Sequence, residues 1–231
     1  MASRLLAVTF EVPDPSRAAA FWAGLLGRDV VDHAGAEFVP GNDTQVGLRF
    51  VAGRPATGAN RMHLHVTCDG SDDQPATVAA ALRLGATHLD VGQLPDEPHV
   101  VLADPEGDEF CVIPRGNAFL AGCGQLGEVA CEGTREVGLF WSEALGWPLV
   151  WDQDQETAVQ SPLGGTKVAW GGPPVAPITA RNRQRFDLVS ADPGPEADRL
   201  VALGATRLGV GDDGALALAD PDGNEFALRA G

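Results

Sequence analysis

The chain has 231 residues, enough for one large domain or for two of about 115, each able to bury its own core. Hydrophobic residues make up 44% and charged residues 21%, a globular composition, and no apolar run approaches the ~18–20 residues of a membrane span. A formal net charge of −16 with a single lysine, Lys167, excludes a phosphate-backbone binder, because that function depends on clustered basic residues.

Met1-Ala2-Ser3-Arg4 runs straight into a strand-like segment, without the basic, apolar and small-residue regions of a secretory signal, so a cytoplasmic location is expected. Between Leu5 and Val12, Leu6, Val8, Phe10 and Val12 share one face and Ala7, Thr9 and Glu11 the other, as in a half-buried strand. Asp14 and Pro15 then open a helix that carries Phe21, Trp22, Leu25 and Leu26 and stops at Gly27. Strands are predicted around Val30 to Val39 and Val46 to Val51, which makes a βαβββ unit.

A glycine- and proline-rich loop, 52–60, leads to a strand from Met62 to Cys68, with His63, His65 and Thr67 on its polar face. A helix near Pro75 to Leu84 ends at Gly85, and further strands enclose the turn at Asp104. The pattern returns as a strand from Gln125 to Cys131 and a helix with Thr134 as its cap candidate and Gly146 as its stop. Strands near Leu149 to Trp151, Thr166 to Trp170 and Phe186 to Ser190 follow, and the last helix stops at Gly204.

Two internal copies stand out. Leu102-Ala103-Asp104-Pro105-Glu106-Gly107-Asp108-Glu109-Phe110 is matched by Leu218-Ala219-Asp220-Pro221-Asp222-Gly223-Asn224-Glu225-Phe226, each reading as strand, type I turn, strand. The helix-stop glycines are 58, 61 and 58 residues apart. The chain therefore reads as four modules in two halves, 1–116 (modules 1–58 and 59–116) and 117–231 (modules 117–178 and 179–231). The four cysteines, Cys68, Cys111, Cys123 and Cys131, show no CxxC spacing and are expected to be reduced.

Paired βαβββ modules, a helix opening on Asp14-Pro15 with Phe21-Trp22 before Leu26-Gly27, and the closing Asp-Pro-x-Gly-x-Glu-Phe hairpin resemble the vicinal oxygen chelate superfamily of glyoxalases, extradiol dioxygenases and bleomycin-resistance proteins. The resemblance implies an α+β fold in which the four modules form two glyoxalase-like open-barrel, or bowl, domains with the helices outside. It also implies, for the metalloenzymes of the family, a histidine on the first strand of a module and a glutamate shortly after the turn. In this chain those positions fall on Ala7 and Cys111, on His63 in the second module, and on Leu126, approximately Arg185, and Ala227 in the second half. Only His63 is a ligand of the expected kind, so no cofactor is expected; a divalent metal on a rearranged set drawn from His63, His65, Glu109, Cys111 or Glu11 is the alternative.

Alternation puts Glu109 with Cys111 and Ile113 on the concave face, with Phe110 and Val112 towards the helices. Glu109 is read either as a base or cation ligand, or as the partner of an arginine such as Arg49. Cys111, with no basic neighbour in sequence, is read as pocket lining. The ligand-pocket candidates are Thr9, Glu11, Arg49, His63, His65, Glu109, Cys111, Glu128, Arg185, Asp187 and Glu225; His33, His88 and His99 are assigned to surface or loops. Three functions compete: a binding protein for a small cationic or aromatic metabolite or antibiotic, a metal-dependent lyase, isomerase or dioxygenase active in the first half alone, and a structural protein with a vestigial pocket. The partner expected is a small molecule, with no nucleic acid and no membrane, and the bowls pair within the chain or in a homodimer.

Overall fold

A computed structural model describes residues 3–53, 60–68, 73–94, 96–179, 181–211 and 213–231; Met1, Ala2 and most of the loop at 52–60 lie outside the described residues. The first module runs β1 (Arg4–Val12), α1 (Pro15–Leu26), β2 (Val31–His33), β3 (Ala36–Val39) and β4 (Gly47–Ala52). The second is β5 (Met62–Thr67), α2 (Gln74–Arg83), β6 (Thr87–His88), β7 (Val100–Ala103) and β8 (Glu109–Ile113). The third is β9 (Leu126–Cys131), α3 (Arg135–Leu145), β10 (Leu149–Gln153), β11 (Glu156–Gln160) and β12 (Lys167–Trp170). The fourth is β13 (Gln184–Ser190), α4 (Pro193–Ala202), β14 (Thr206–Val210), β15 (Leu216–Ala219) and β16 (Glu225–Ala230). The expected βαβββ order holds in all four; the polar β11, entered through Asp154 and Gln155 at positive φ, has no apolar alternation to announce it.

Local signals set the helix ends. The Asp14 side chain accepts the Arg17 N–H at 3.0 Å, and Gly27 takes the left-handed conformation that closes α1. Thr134, expected to cap α3, makes no side-chain cap. Instead its N–H and Oγ1 donate to the Asp222 carboxylate at 2.6 and 2.9 Å. Glu106, at the same place in the first hairpin, accepts the Asp14 N–H at 3.1 Å and the Arg17 Nε at 2.5 Å. The third residue of each Asp-Pro-x-Gly turn thus holds the start of the preceding module's helix, and the first residue holds its tryptophan: Trp22 Nε1 donates to Asp104 at 3.0 Å and Trp141 Nε1 to Asp220 at 3.3 Å.

The strands form two eight-stranded sheets, ordered β14-β15-β16-β13-β1-β4-β3-β2 and β10-β11-β12-β9-β5-β8-β7-β6. Sequence halves and sheets are therefore different divisions of the molecule: the first sheet joins modules one and four, the second modules two and three, each through an antiparallel pair, β1 with β13 and β5 with β9. Within a half, modules meet on their helix sides, where Trp22 packs on Phe110 at 5.1 Å and Trp141 on Phe186 and Phe226 at 4.9 and 5.0 Å. Edge-to-face rings of this kind combine large apolar burial with favourable quadrupole geometry. One continuous core takes residues from both sheets and all four helices, including Trp22, Ala81, Trp141 and Leu200. Among the described residues no helix is long and apolar enough to cross a membrane.

Candidate functional site

With the helix faces spent on the core, the other face of each sheet carries the polar residues, and the eleven pocket candidates divide between the two bowls. Thr9, Glu11, Arg49, Arg185, Asp187 and Glu225 lie in the sheet of modules one and four; His63, His65, Glu109, Cys111 and Glu128 lie in the sheet of modules two and three.

The first bowl is filled by ion pairs. Asp187, fully buried, stands 3.5 Å from Arg49 and 3.1 Å from Arg229, and Arg229 also reaches Asp213 at 2.6 Å. Glu11 accepts from Arg185 at 2.6 Å and Arg181 at 2.8 Å, and Arg181 extends to Glu225 at 3.5 Å. Thr9 is also fully buried, opposite Arg185 on one side and Arg49 on the other. Two sequence expectations are corrected here. Arg49 is the partner of Asp187, not of Glu109, and Glu11 cannot join a site with the histidines, because strand pairing sends modules one and two into different sheets. Burial pulls the Arg49 guanidinium downward and Asp187 opposes it.

The second bowl is open. Its floor is β5, between β8 and β9, with His65 opposite Cys111 on one side and Glu128 on the other. His63 Nε2 and His65 Nε2 are 2.9 Å apart, and His65 Nδ1 is 2.6 Å from Glu128 Oε2. The ligand atoms of His63, His65 and Cys111 all lie within 4.8 Å of one another. Burial, reinforced by His65 and His99, lowers His63 to about 3, so it is neutral at physiological pH. Burial, with help from Glu109 and Glu128, pushes the Cys111 thiol up to about 12, which fits a lining residue and not a free thiolate. Burial also raises Glu109, against His65 and His99.

Leu126 was the position that family spacing assigned to a ligand in the third module, and the structure moves it. His65 pairs with Glu128 but Val66 with Leu126, so Gly127 is an extra residue in the ladder, and Leu126 turns into the core beneath the helices. Glu128 faces the bowl in its place.

Above this floor is a cavity of about 540 Å³ whose lining includes His63, Glu109 and Glu128, with Phe119, Trp151 and Trp170 as aromatic walls. The segment joining the two halves supplies one wall: Leu120 and Cys123 pack with Val101, Cys111 and Ile113 in a small second core, with Phe119 against it. Phe119 meets Trp151 edge-on at 5.8 Å, and the Lys167 ammonium sits 4.1 Å over the Phe119 ring and donates to the Phe119 carbonyl. Phe119 and Arg61 were missed as pocket residues because they sit in connecting segments without periodicity.

Residues 7–113 and 128–229 each match the glyoxalase-like domain. The chain belongs to that family. It carries the glyoxalase-like domain twice, in tandem. Glyoxalase I from Zea mays superposes with a TM-score of 0.66 at 15% identity, over 98% of this chain and 92% of that one. A putative dioxygenase from Bacillus subtilis subsp. subtilis str. 168 superposes with a TM-score of 0.62 at 14% identity, over 99% and 85%. At such identities the likeness is one of fold. No curated protein matches the sequence.

The two bowls differ in how they suit the superfamily's metal. In the first, the buried guanidinium of Arg49 and the part-buried one of Arg229 occupy the polar face, and these groups donate only, so the residues do not fit a cation. In the second, two imidazoles, a thiol and a carboxylate converge, a donor set that fits a divalent ion although it differs from the histidine and glutamate pattern of the family.

Proposed function

We propose that this glyoxalase-like protein binds a small organic cation in the bowl of modules two and three. The observation that carries the reading is Glu109: its half-buried carboxylate lines the cavity and has no hydrogen bond or ion pair among the described residues. A carboxylate partly stripped of water gains from a cationic partner more than an exposed one does. Glu128 and Glu156 also line the space, while Arg61, the arginine there, is paired with Glu132 at 3.4 Å and donates to Asn224 Oδ1 at 2.8 Å and the Ala176 carbonyl at 2.5 Å. The Trp151 ring, which also lines the cavity, favours the same charge through its quadrupole, as the Phe119 ring already does for the Lys167 ammonium. The volume falls in the ~300–1,000 Å³ range of small-molecule sites.

The test is titration calorimetry, with tryptophan fluorescence as a second signal, against a matched series of aryl quaternary ammonium, neutral and carboxylate compounds. The cationic member should bind saturably, and Glu109→Gln should weaken it about tenfold or more. Equal binding of the neutral isostere, or binding unchanged in Glu109→Gln, would overturn the reading.

A further inference from the structure

We propose that Asp104 and Asp108 share one buried proton in a carboxyl–carboxylate hydrogen bond, and that this proton switches the contact by which the first hairpin grips the other half of the chain beside the second bowl. The inference rests on the hairpin and its duplicate and is independent of the organic-cation reading.

The two Asp-Pro-x-Gly hairpins share a backbone. The Asp104 N–H donates to the Asp108 carbonyl at 2.9 Å and the Asp220 N–H to the Asn224 carbonyl at 3.0 Å, while the N–H groups of Asp108 and Asn224 each donate to Oδ1 of the leading aspartate at 2.9 Å. Each hairpin also takes an arginine from the other half: Arg61 Nε donates to Asn224 Oδ1 at 2.8 Å, and Arg183 Nη2 to Asp108 Oδ1 at 2.7 Å. The difference lies in the remaining side-chain atom. Asn224 Nδ2 donates to both oxygens of Asp220, at 3.2 and 3.1 Å. Its counterpart in the first hairpin is Asp108 Oδ2, a buried oxygen without a hydrogen-bond partner, on a side chain only 1% exposed. With both acids ionised, that oxygen is desolvated, unpaired and repelled by Asp104. A proton on Oδ2 makes it the donor that the amide is in the duplicate. The Asp104 oxygens, by contrast, already accept N–H groups from Glu106, Asp108 and Trp22.

The surrounding charges suit one proton. Arg183, from the segment before β13, is the cation on Asp108 and balances a single negative charge on the pair. From α1, Arg17 and Asp14 meet Glu106 of the same turn, and the other neighbours, Asn60 and Trp22, are neutral. Burial and then the Asp108 charge push Asp104 up to about 7, and burial raises Asp108 against Arg183 and Asn60. The junction reaches the open bowl through Asn60, which lines its cavity, donates to Asp108 Oδ1 at 2.7 Å and accepts from Arg183 Nη2 at 2.7 Å. Arg183 Nη1 continues to the Glu11 carbonyl at 3.4 Å. Because both acids are raised, the folded chain holds more protons than the unfolded one. The stability this confers is full below the ordinary carboxylate range and is lost as pH rises through about 7, when two facing charges loosen the junction.

The test exchanges the two hairpins' residues in the full-length protein. Wild type, Asp108→Asn and Asn224→Asp are melted between pH 5 and 8.5, and proton release on unfolding is measured by calorimetry in buffers of different ionisation enthalpy. Asp108→Asn should match wild type at pH 5, melt at or above it at pH 8 despite losing a carboxylate from a buried arginine pair, and release about one proton fewer near pH 6. Asn224→Asp should release about one proton more and fall further below wild type at pH 8 than at pH 5. Hydrogen exchange at Asn60–His63 and Arg183–Arg185 should be faster in wild type than in Asp108→Asn at pH 8 and equal at pH 5. An Asp108→Asn protein that is unfolded or melts below wild type at pH 8, or that releases as many protons, overturns the shared proton and leaves Asp108 as an ionised partner of Arg183. So does an Asn224→Asp protein equally destabilised at both pH values. Equal exchange at pH 8 overturns the switch.

Discussion

Asp187→Ala tests whether the first bowl is a filled structural element. The carboxylate is fully buried and faces Arg49 at 3.5 Å, Arg229 at 3.1 Å and Arg185 at 3.9 Å. Its loss leaves Arg229 with Asp213 and Arg185 with Glu11, but Arg49, 2% exposed, keeps no ion-pair partner among the described residues. Removing one member of a buried pair costs about 3–5 kcal/mol, because the remaining charge stays desolvated. For a chain of this size each kcal/mol is worth roughly 2–4 °C, so Tm should fall by about 6–20 °C. Urea denaturation and calorimetry of wild type, Asp187→Ala and the double variant Asp187→Leu/Arg49→Met measure this. The double variant should recover most of the loss, since an apolar pair of similar volume is often as stable as a buried ion pair. A fall below about 1 kcal/mol, or a double variant no better than the single, would show that water reaches Arg49. Ligand binding in the second bowl should persist in every variant that is folded.

Trp22→Phe removes a donor to Asp104 Oδ2, which accepts no other hydrogen bond among the described residues, and should cost about 1–3 kcal/mol in urea. Trp141→Phe should cost less, because its bond is longer and Asp220 Oδ2 also accepts from Asn224 Nδ2 at 3.1 Å. Gly165 has φ +90° and a Cβ there would lie 1.6 Å from the Thr44 carbonyl oxygen, so Gly165→Ala should destabilise by more than about 2 kcal/mol, read as a shift in denaturation midpoint. For the pH dependence of organic-cation binding, the ionised form of Glu109 is the one that binds, and burial raises its pKa above the ordinary carboxylate range. Affinity should therefore be full at neutral pH and fall as pH drops through that raised value, with the midpoint abolished in Glu109→Gln; calorimetry from pH 4 to 8 reads it.

Much of the fold was legible in local chemistry. Asp14, Pro15 and Gly27 delimit α1 through groups within one turn of each other, and alternation along β5 separates Met62, Leu64 and Val66 from His63 and His65 without reference to anything distant. The duplicated Asp-Pro-x-Gly turns likewise form as read, with Gly107 and Gly223 donating to Asp104 and Asp220 carbonyls at 3.0 and 2.9 Å. These features depend on backbone sterics and on which face of an element is apolar, and both are written in neighbouring residues. Partnership between elements is not. Nothing in β1 or β5 says that β1 will pair with β13 and β5 with β9, because each edge offers the same N–H and C=O groups to any strand. That choice alone sent Glu11 and Arg49 to one bowl and the histidines to the other. A single unpaired residue, Gly127, then turned Leu126 inward and brought Glu128 to His65, and the segment between the halves folded over the same bowl to make its wall. Sequence by itself determined four βαβββ modules and their apolar faces; tertiary pairing, a long-range competition among chemically equivalent strand edges, decided which polar residues meet, and so which bowl is filled and which is open.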